Sequence, residues 1–144
     1  MLMRFGILTG GGDCPGLNAV IRSVVRSAVA HDRPVEILGI EDGFDGLVSG
    51  KQIKPLRLED VRGILSRGGT ILGTSNRGNP FEYPQKQPDG SVELVDVSAE
   101  CLRRMEEYGM DGLIVVGGDG TLSIAHELGN RGANVVGVPK TIDN

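Results

Sequence analysis

Short apolar runs that end in glycine-rich polar loops constrain this chain more than any other feature. Phe5-Gly6-Ile7-Leu8 leads into Thr9-Gly10-Gly11-Gly12, and Gly112-Leu113-Ile114-Val115-Val116 leads into Gly117-Gly118-Asp119-Gly120. Val135-Val136-Gly137-Val138 leads into Pro139-Lys140, and Val35-Glu36-Ile37-Leu38-Gly39-Ile40 leads into the turn-rich Asp42-Gly43-Phe44-Asp45-Gly46. Runs of this length, rich in Val, Ile and Leu and not strictly alternating with polar residues, read as strands buried on both faces. Helical patterns separate them. Leu17, Val20, Ile21, Val24, Val25, Ala28 and Val29 recur at helical spacing, with entry at Pro15-Gly16 and an end near His31.

Three further helices are expected. Residues 57–66 suit a short one closed by Arg67-Gly68-Gly69. Residues 98–108 suit another, with Ser98 as N-cap, Glu100 in the first turn and Gly109 as the stop. Residues 121–129 suit the last. Between Gly73 and Gly90 few apolar residues fall in register, so this stretch reads as a loop with room for a hairpin before Val92-Glu93-Leu94. Strands alternating with helices predict an α/β fold: a Rossmann-like three-layer sandwich around a mainly parallel sheet. Ligands of such sheets bind beyond the carboxyl ends of the strands. The loops 9–16, 117–121 and 139–144 all fall there.

Composition removes several function classes. Fifteen Lys+Arg against nineteen Asp+Glu give a net charge of −4, and no basic block exceeds pairs such as Arg22 with Arg26 or Arg103 with Arg104. That argues against a general nucleic-acid binder. No apolar run approaches the ~20 residues of a membrane span, and the start lacks the pattern of a signal peptide. Cys14 and Cys101 are too few for a disulfide framework and lack zinc-site spacing. A cytoplasmic setting is the default expectation. Glycine makes up 23 of 144 residues, roughly twice the ~7% usual share. It concentrates where strands end, the places where backbone approaches a ligand closely.

The chemistry is expected in those loops. Thr9-Gly-Gly-Gly-Asp-Cys-Pro-Gly-Leu-Asn18 combines a glycine turn with a helix start, an arrangement suited to an anion. It is neither a Walker loop nor a G-x-G-x-x-G of the right spacing, so it does not fix the ligand. In Gly117-Gly-Asp-Gly-Thr121 a carboxylate beside phosphate requires a cation, so Asp119 reads as a Mg²⁺ partner, with a plain helix cap as the alternative. Lys140-Thr141-Ile142-Asp143-Asn144 gathers an ammonium, a hydroxyl and a carboxylate. There Asp143 can accept a proton and Lys140 can neutralise phosphoryl charge, unless the stretch is simply a solvated chain end.

In this order the motifs resemble the 6-phosphofructokinase family. The likeness runs from Gly6-Ile-Leu-Thr9 and Gly11-Gly-Asp-Cys-Pro-Gly-Leu-Asn-Ala-Val-Ile-Arg22 through Arg67-Gly-Gly-Thr70 and Gly117-Gly-Asp-Gly-Thr121 to Pro139-Lys-Thr-Ile-Asp-Asn144. The Gly-Gly-Asp-Gly-Thr motif alone is shared with NAD kinases and lipid kinases; the first and last are more specific. The resemblance implies that Gly12 contacts the donor's terminal phosphates and that Arg77, with Gly78 beside it, helps hold the donor. It implies that Gly118, Asp119, Gly120 and Thr121 line the nucleotide phosphates, with Asp119 serving Mg²⁺. It further implies that Thr141, Ile142 and Asp143 meet fructose 6-phosphate, with Asp143 the catalytic base for its 1-hydroxyl.

Family members that use pyrophosphate look like Gly-Gly-Asp-Asp combined with Pro-Lys-Thr, and ATP users typically show Gly-Gly-Asp-Gly with Pro-Gly-Thr. This chain carries Gly120 beside Lys140, the pair expected to set donor specificity. Glycine at 120 leaves room for the α-phosphate, which favours ATP as co-substrate. A pyrophosphate-dependent enzyme and an inactive nucleotide-binding fragment are the alternatives. The resemblance also implies a homo-oligomer, a homotetramer in full-length relatives. Arg22 and Arg26 are either an effector-anion grip or a solvated helix face. Residues 1–144 are expected to be the nucleotide-binding α/β domain only, ending inside the last motif without the sugar-phosphate domain. Alone they are expected to be inactive and, through uncovered apolar surface, prone to aggregate.

Overall fold

The computed structural model describes residues 1–11, 16–75 and 78–140. Its centre is a five-stranded sheet in the order β3-β2-β1-β6-β7, built from β1 (Met3–Thr9), β2 (Val35–Ile40), β3 (Ile53–Leu56), β6 (Gly112–Gly117) and β7 (Val135–Pro139). Strands β2, β1, β6 and β7 are parallel, with Gly6 paired to Leu38 on one side and to Leu113 on the other. Helices α1 (Leu17–Ala30) and α4 (Asp119–Asn130) make the β1-to-β2 and β6-to-β7 crossovers.

Neighbouring residues of the central strands enter different cores, as the period of a strand requires. Leu8, Leu113 and Val115 pack with α4, α2 (Phe44–Ser49) and α3 (Ser98–Glu107), whereas Ile7 and Val116 pack with α1 through Leu17, Ile21 and Val25. Ile7 and Leu8 are both fully buried. This explains why the runs are apolar throughout. The expected three-layer α/β sandwich is the observed one.

Local expectations fared unevenly. The strands at 5–8, 35–40, 112–116 and 135–138 and the helix after Gly16 form as read. The hairpin is present, with β4 (Tyr83–Lys86) antiparallel to β5 (Val92–Val95). The helix expected over 57–66 is only a 3-10 turn, Leu58–Val61, because Arg62 turns extended at ψ 131° and Gly63 follows at φ +75°. Positions 44–46, expected as turn, begin the short helix α2, where Gly46 packs directly against the Glu41 carbonyl. Ser98 does not cap α3. The Asp96 carboxylate accepts hydrogen bonds from the Ser98 amide at 2.9 Å and its hydroxyl at 2.6 Å, and the Ser98 hydroxyl accepts one from Arg131. Gly109, at φ +66°, does end that helix region as expected. Strand β3 was not anticipated. It contains Pro55, which an edge strand tolerates because its outer side needs no backbone donor.

Candidate functional site

The chain order of the strands reverses beside β1. From β1 it moves through α1 to β2 and β3 on one side, and from β6 through α4 to β7 on the other. In open α/β sheets such a switch point leaves a crevice beyond the carboxyl ends of the two strands flanking it. The parallel pairing brings the ends of β1, β6 and β7 side by side, with Thr9 opposite Val116 and Gly117 opposite Pro139. Backbone hydrogen bonds extend the ladder one step further on both sides. Gly10 donates to the Val116 carbonyl and Lys140 donates to the Gly117 carbonyl, each at 2.9 Å. The three loops singled out in the sequence therefore leave the sheet together.

Gly11, at φ +75°, turns the chain away from β1, a conformation that favours glycine. A Cβ built on Gly11 would lie 3.5 Å from Cε and Nζ of Lys140, so the ammonium at the end of β7 stands over the glycine turn. Across from it α4 begins at Asp119 with no side chain capping its amides. The first amides of a helix lack intrahelical acceptors and sit at its positive end. Asp119 is exposed there, and its carboxylate makes no ion pair or hydrogen bond with another described residue. The alternative in which it merely caps the helix is not what the structure shows. No described residue lies within 4 Å of a Cβ placed on Gly118 or Gly120. Among the described residues the edge thus joins an ammonium, a glycine turn, a free helix N-terminus and a free carboxylate.

Gly118, Asp119, Gly120, Thr121 and Lys140 are brought together as the sequence predicts. Gly78 has a different neighbourhood, buried against the first turn of α2, where a Cβ would come within 3.3 Å of the Asp45 amide nitrogen. Packing explains that glycine. Gly12, Arg77, Thr141, Ile142 and Asp143, with Asn144, lie outside the described residues. Arg22 is partly buried and Arg26 exposed on α1, and neither has an ion-pair partner among the described residues.

Two buried polar residues that sequence reasoning passed over hold the site's frame. The Thr9 hydroxyl, fully buried, donates to the Gly73 carbonyl at 2.9 Å and lies 2.9 Å from the Thr70 hydroxyl. Asn18, 2% exposed, accepts from the Ile71 amide at 2.8 Å and donates to the Arg67 carbonyl at 3.2 Å. Both tie segment 67–73 to the turn between β1 and α1. The available signal was their position, one ending the first apolar run and one opening the helix face. Beyond that segment, Ser75 donates a short hydrogen bond to Asp45, beside a cavity of about 180 Å³ that Tyr83 and Pro84 also line. A more apolar groove of about 430 Å³, lined by Met3, Phe5, Val24 and Ile114 among others, follows the α1 flank and touches no described residue of the three loops.

Comparison with known proteins places the chain in a family. The phosphofructokinase family model matches residues 4–144. The chain is 48% identical over 143 residues to ATP-dependent 6-phosphofructokinase 2 of Clostridium perfringens, covering 99% of this chain and 38% of that protein. It is 50% identical over 143 residues to pyrophosphate–fructose 6-phosphate 1-phosphotransferase of Amycolatopsis methanolica, with the same coverage of 99% and 38%. Among solved structures, Pichia pastoris phosphofructokinase in the T-state matches with a TM-score of 0.79 at 30% identity, over 98% of this chain and 16% of that one. The chain therefore spans 38% of the length of these curated relatives. The chain belongs to the phosphofructokinase family.

Proposed function

We propose that this chain is the phosphoryl-donor domain of an ATP-dependent 6-phosphofructokinase. The whole enzyme transfers the γ-phosphate of ATP to the 1-hydroxyl of fructose 6-phosphate, giving fructose 1,6-bisphosphate and ADP. The observation that carries this reading is the meeting of the Gly11 turn, the uncapped start of α4 and Lys140 at one sheet edge. Donor phosphates lying there meet unpaired amides at the helix start and the ammonium of Lys140. Phosphoryl transfer asks mostly for such positioning and charge stabilisation.

No trio of His, Cys, Asp or Glu able to hold a metal occurs among the described residues. A single free carboxylate nevertheless fits Mg²⁺, which commonly takes one or two carboxylates and completes its shell with water and substrate phosphates. Asp119 would hold it. The ion would supply neutralisation of charge on the donor phosphates. Gly12 and Arg77 are proposed to hold the donor, Thr141 and Ile142 to meet the sugar phosphate, and Asp143 to accept the proton of the 1-hydroxyl. The 144 residues alone are proposed to bind nucleotide without turning over. The whole enzyme is proposed to be a cytoplasmic homo-oligomer, with Arg22 and Arg26 as candidates for an effector anion. No helix among the described residues is long and apolar enough to cross a membrane.

Overall identity does not choose the donor, since relatives named for either donor are 48% and 50% identical. Position 120 does. No described residue lies within 4 Å of a Cβ added to Gly120 at the helix start, where a carboxylate would oppose a nucleotide's α-phosphate. At ~4 Å and an effective dielectric of ~20 that repulsion is about 4 kcal/mol before screening. Gly120→Asp is expected to weaken Mg-ATP binding by tenfold or more relative to Mg-pyrophosphate, read by calorimetry with both donors. An unchanged ratio of the two affinities would refute the donor assignment.

A further inference from the structure

Thr121 stands in the first turn of α4, partly buried, between the ends of two strands. A Cβ built on Gly10 would lie 2.6 Å from both Oγ1 and Cγ2 of Thr121. One built on Gly117 would lie 2.6 Å from its Cβ and Cγ2. Real Cβ atoms do not approach that closely, so Thr121 fills the space that side chains at either glycine would take. Neither glycine takes a positive φ, so backbone conformation does not demand glycine at these positions. Close approach does.

The two contacts differ in kind. Gly117 is held against the Cβ of Thr121, which no rotation can move away. Gly10 is held against the two branch tips, with the Cβ itself at 3.2 Å. The two heavy atoms on the Thr121 Cβ fill two of its three staggered positions, so any χ1 rotamer leaves one branch against Gly10. The Gly10 contact also bridges different loops: Gly10 opens the turn after β1, and Thr121 belongs to the helix start that follows β6.

We propose that Gly10 and Thr121 are a size-matched pair that sets the gap between the glycine turn after β1 and the amino end of α4. They would thereby act as positioning residues for the donor phosphates, Gly10 without touching the donor itself. This rests on the proposed function, since the gap matters only if phosphates occupy it. Packed interiors respond to one extra methyl by shifting whole elements. Gly10→Ala would push α4 away from the turn, and Thr121→Ala would return the space.

The experiment is a double-mutant cycle on this chain, with Gly10→Ala, Thr121→Ala and the double variant, reading Mg-ATP dissociation constants by calorimetry well below each melting temperature. Gly10→Ala is expected to weaken Mg-ATP binding at least tenfold, and adding Thr121→Ala to restore it at least threefold. A Gly10→Ala chain that is folded and binds as the unaltered chain does would overturn the inference, and so would strictly multiplicative effects in the double variant. If Gly10→Ala does not fold, a double variant that folds and binds Mg-ATP supports the pairing, and one that also fails to fold overturns it. An unaltered chain that binds no Mg-ATP refutes the proposed function instead, a result distinct from the others.

Discussion

Replacing Asn18 by Ala tests whether the buried polar brace between the β1–α1 turn and segment 67–73 holds the site together. The Asn18 side chain accepts one hydrogen bond from the Ile71 amide at 2.8 Å and donates one to the Arg67 carbonyl at 3.2 Å; the approach to the Gly68 carbonyl, at 3.5 Å, is too long to add much. Losing two such bonds costs about 0.5–1 kcal/mol each, and leaving the Ile71 amide without a partner adds about 1–2 kcal/mol, so the total is about 2–4 kcal/mol. For a chain of this size ~3 °C per kcal/mol converts that to a melting temperature lower by about 6–12 °C. The damage should stay local at first. Leu72 keeps its own bonds, its amide donating to the Thr70 hydroxyl at 3.1 Å and its carbonyl accepting from the Asp42 amide at 2.9 Å. Amide hydrogen exchange should therefore accelerate at Ile71 well before the sheet amides of Ile7 and Leu8. Calorimetric melting and exchange mass spectrometry on the same samples measure both effects. A melting temperature within 2 °C of the unaltered chain, together with unchanged exchange at Ile71, would refute the brace.

Two further predictions concern chemistry and solubility. Cys101 is fully buried against α2, and desolvation pushes its thiol from 9.0 up to about 12, with Glu100 adding to the shift. Iodoacetamide at pH 8 should therefore leave Cys101 unmodified in the folded chain and label it after unfolding, as read by peptide mass mapping. Below about pH 9 both states keep the proton. Between 9 and about 12 the unfolded chain ionises while the folded chain does not, so this group's contribution to stability declines as pH rises, and Cys101→Ala should flatten that part of the profile. Rapid labelling at pH 8 would contradict the burial. At the sheet margin opposite β3, β7 is the edge strand among the described residues and Val136 is 59% exposed in an uncharged run, a template for pairing with other chains. Val136→Lys should lower concentration-dependent light scattering, and scattering equal to that of the unaltered chain would locate self-association elsewhere.

Sequence alone determined the strands, the large helices and the glycine turns, because each is a local decision. Leu113 to Val116 must be a strand buried on both faces whatever surrounds it, and a run of glycines after a strand must turn. The family and the residues of the Gly117 to Thr121 motif were likewise legible, because the motif is contiguous. Short elements were not. Leu58–Val61 and Phe44–Ser49 carry too few residues for periodicity to outweigh their glycines, and β3 carries a proline that only an edge position permits.

What tertiary structure decided was proximity. Gly10 and Thr121 are more than a hundred residues apart, and nothing in either neighbourhood says that one is small because the other is branched. Lys140 reaches the Gly11 turn only because parallel pairing in one register brings those loops to a common edge, and Asn18 reaches segment 67–73 only because α1 packs with Val61, Ile64 and Leu72 in one core. A chain encodes local conformation in neighbouring residues. It encodes such contacts only through the packing of the whole sheet, where burial and register are settled together.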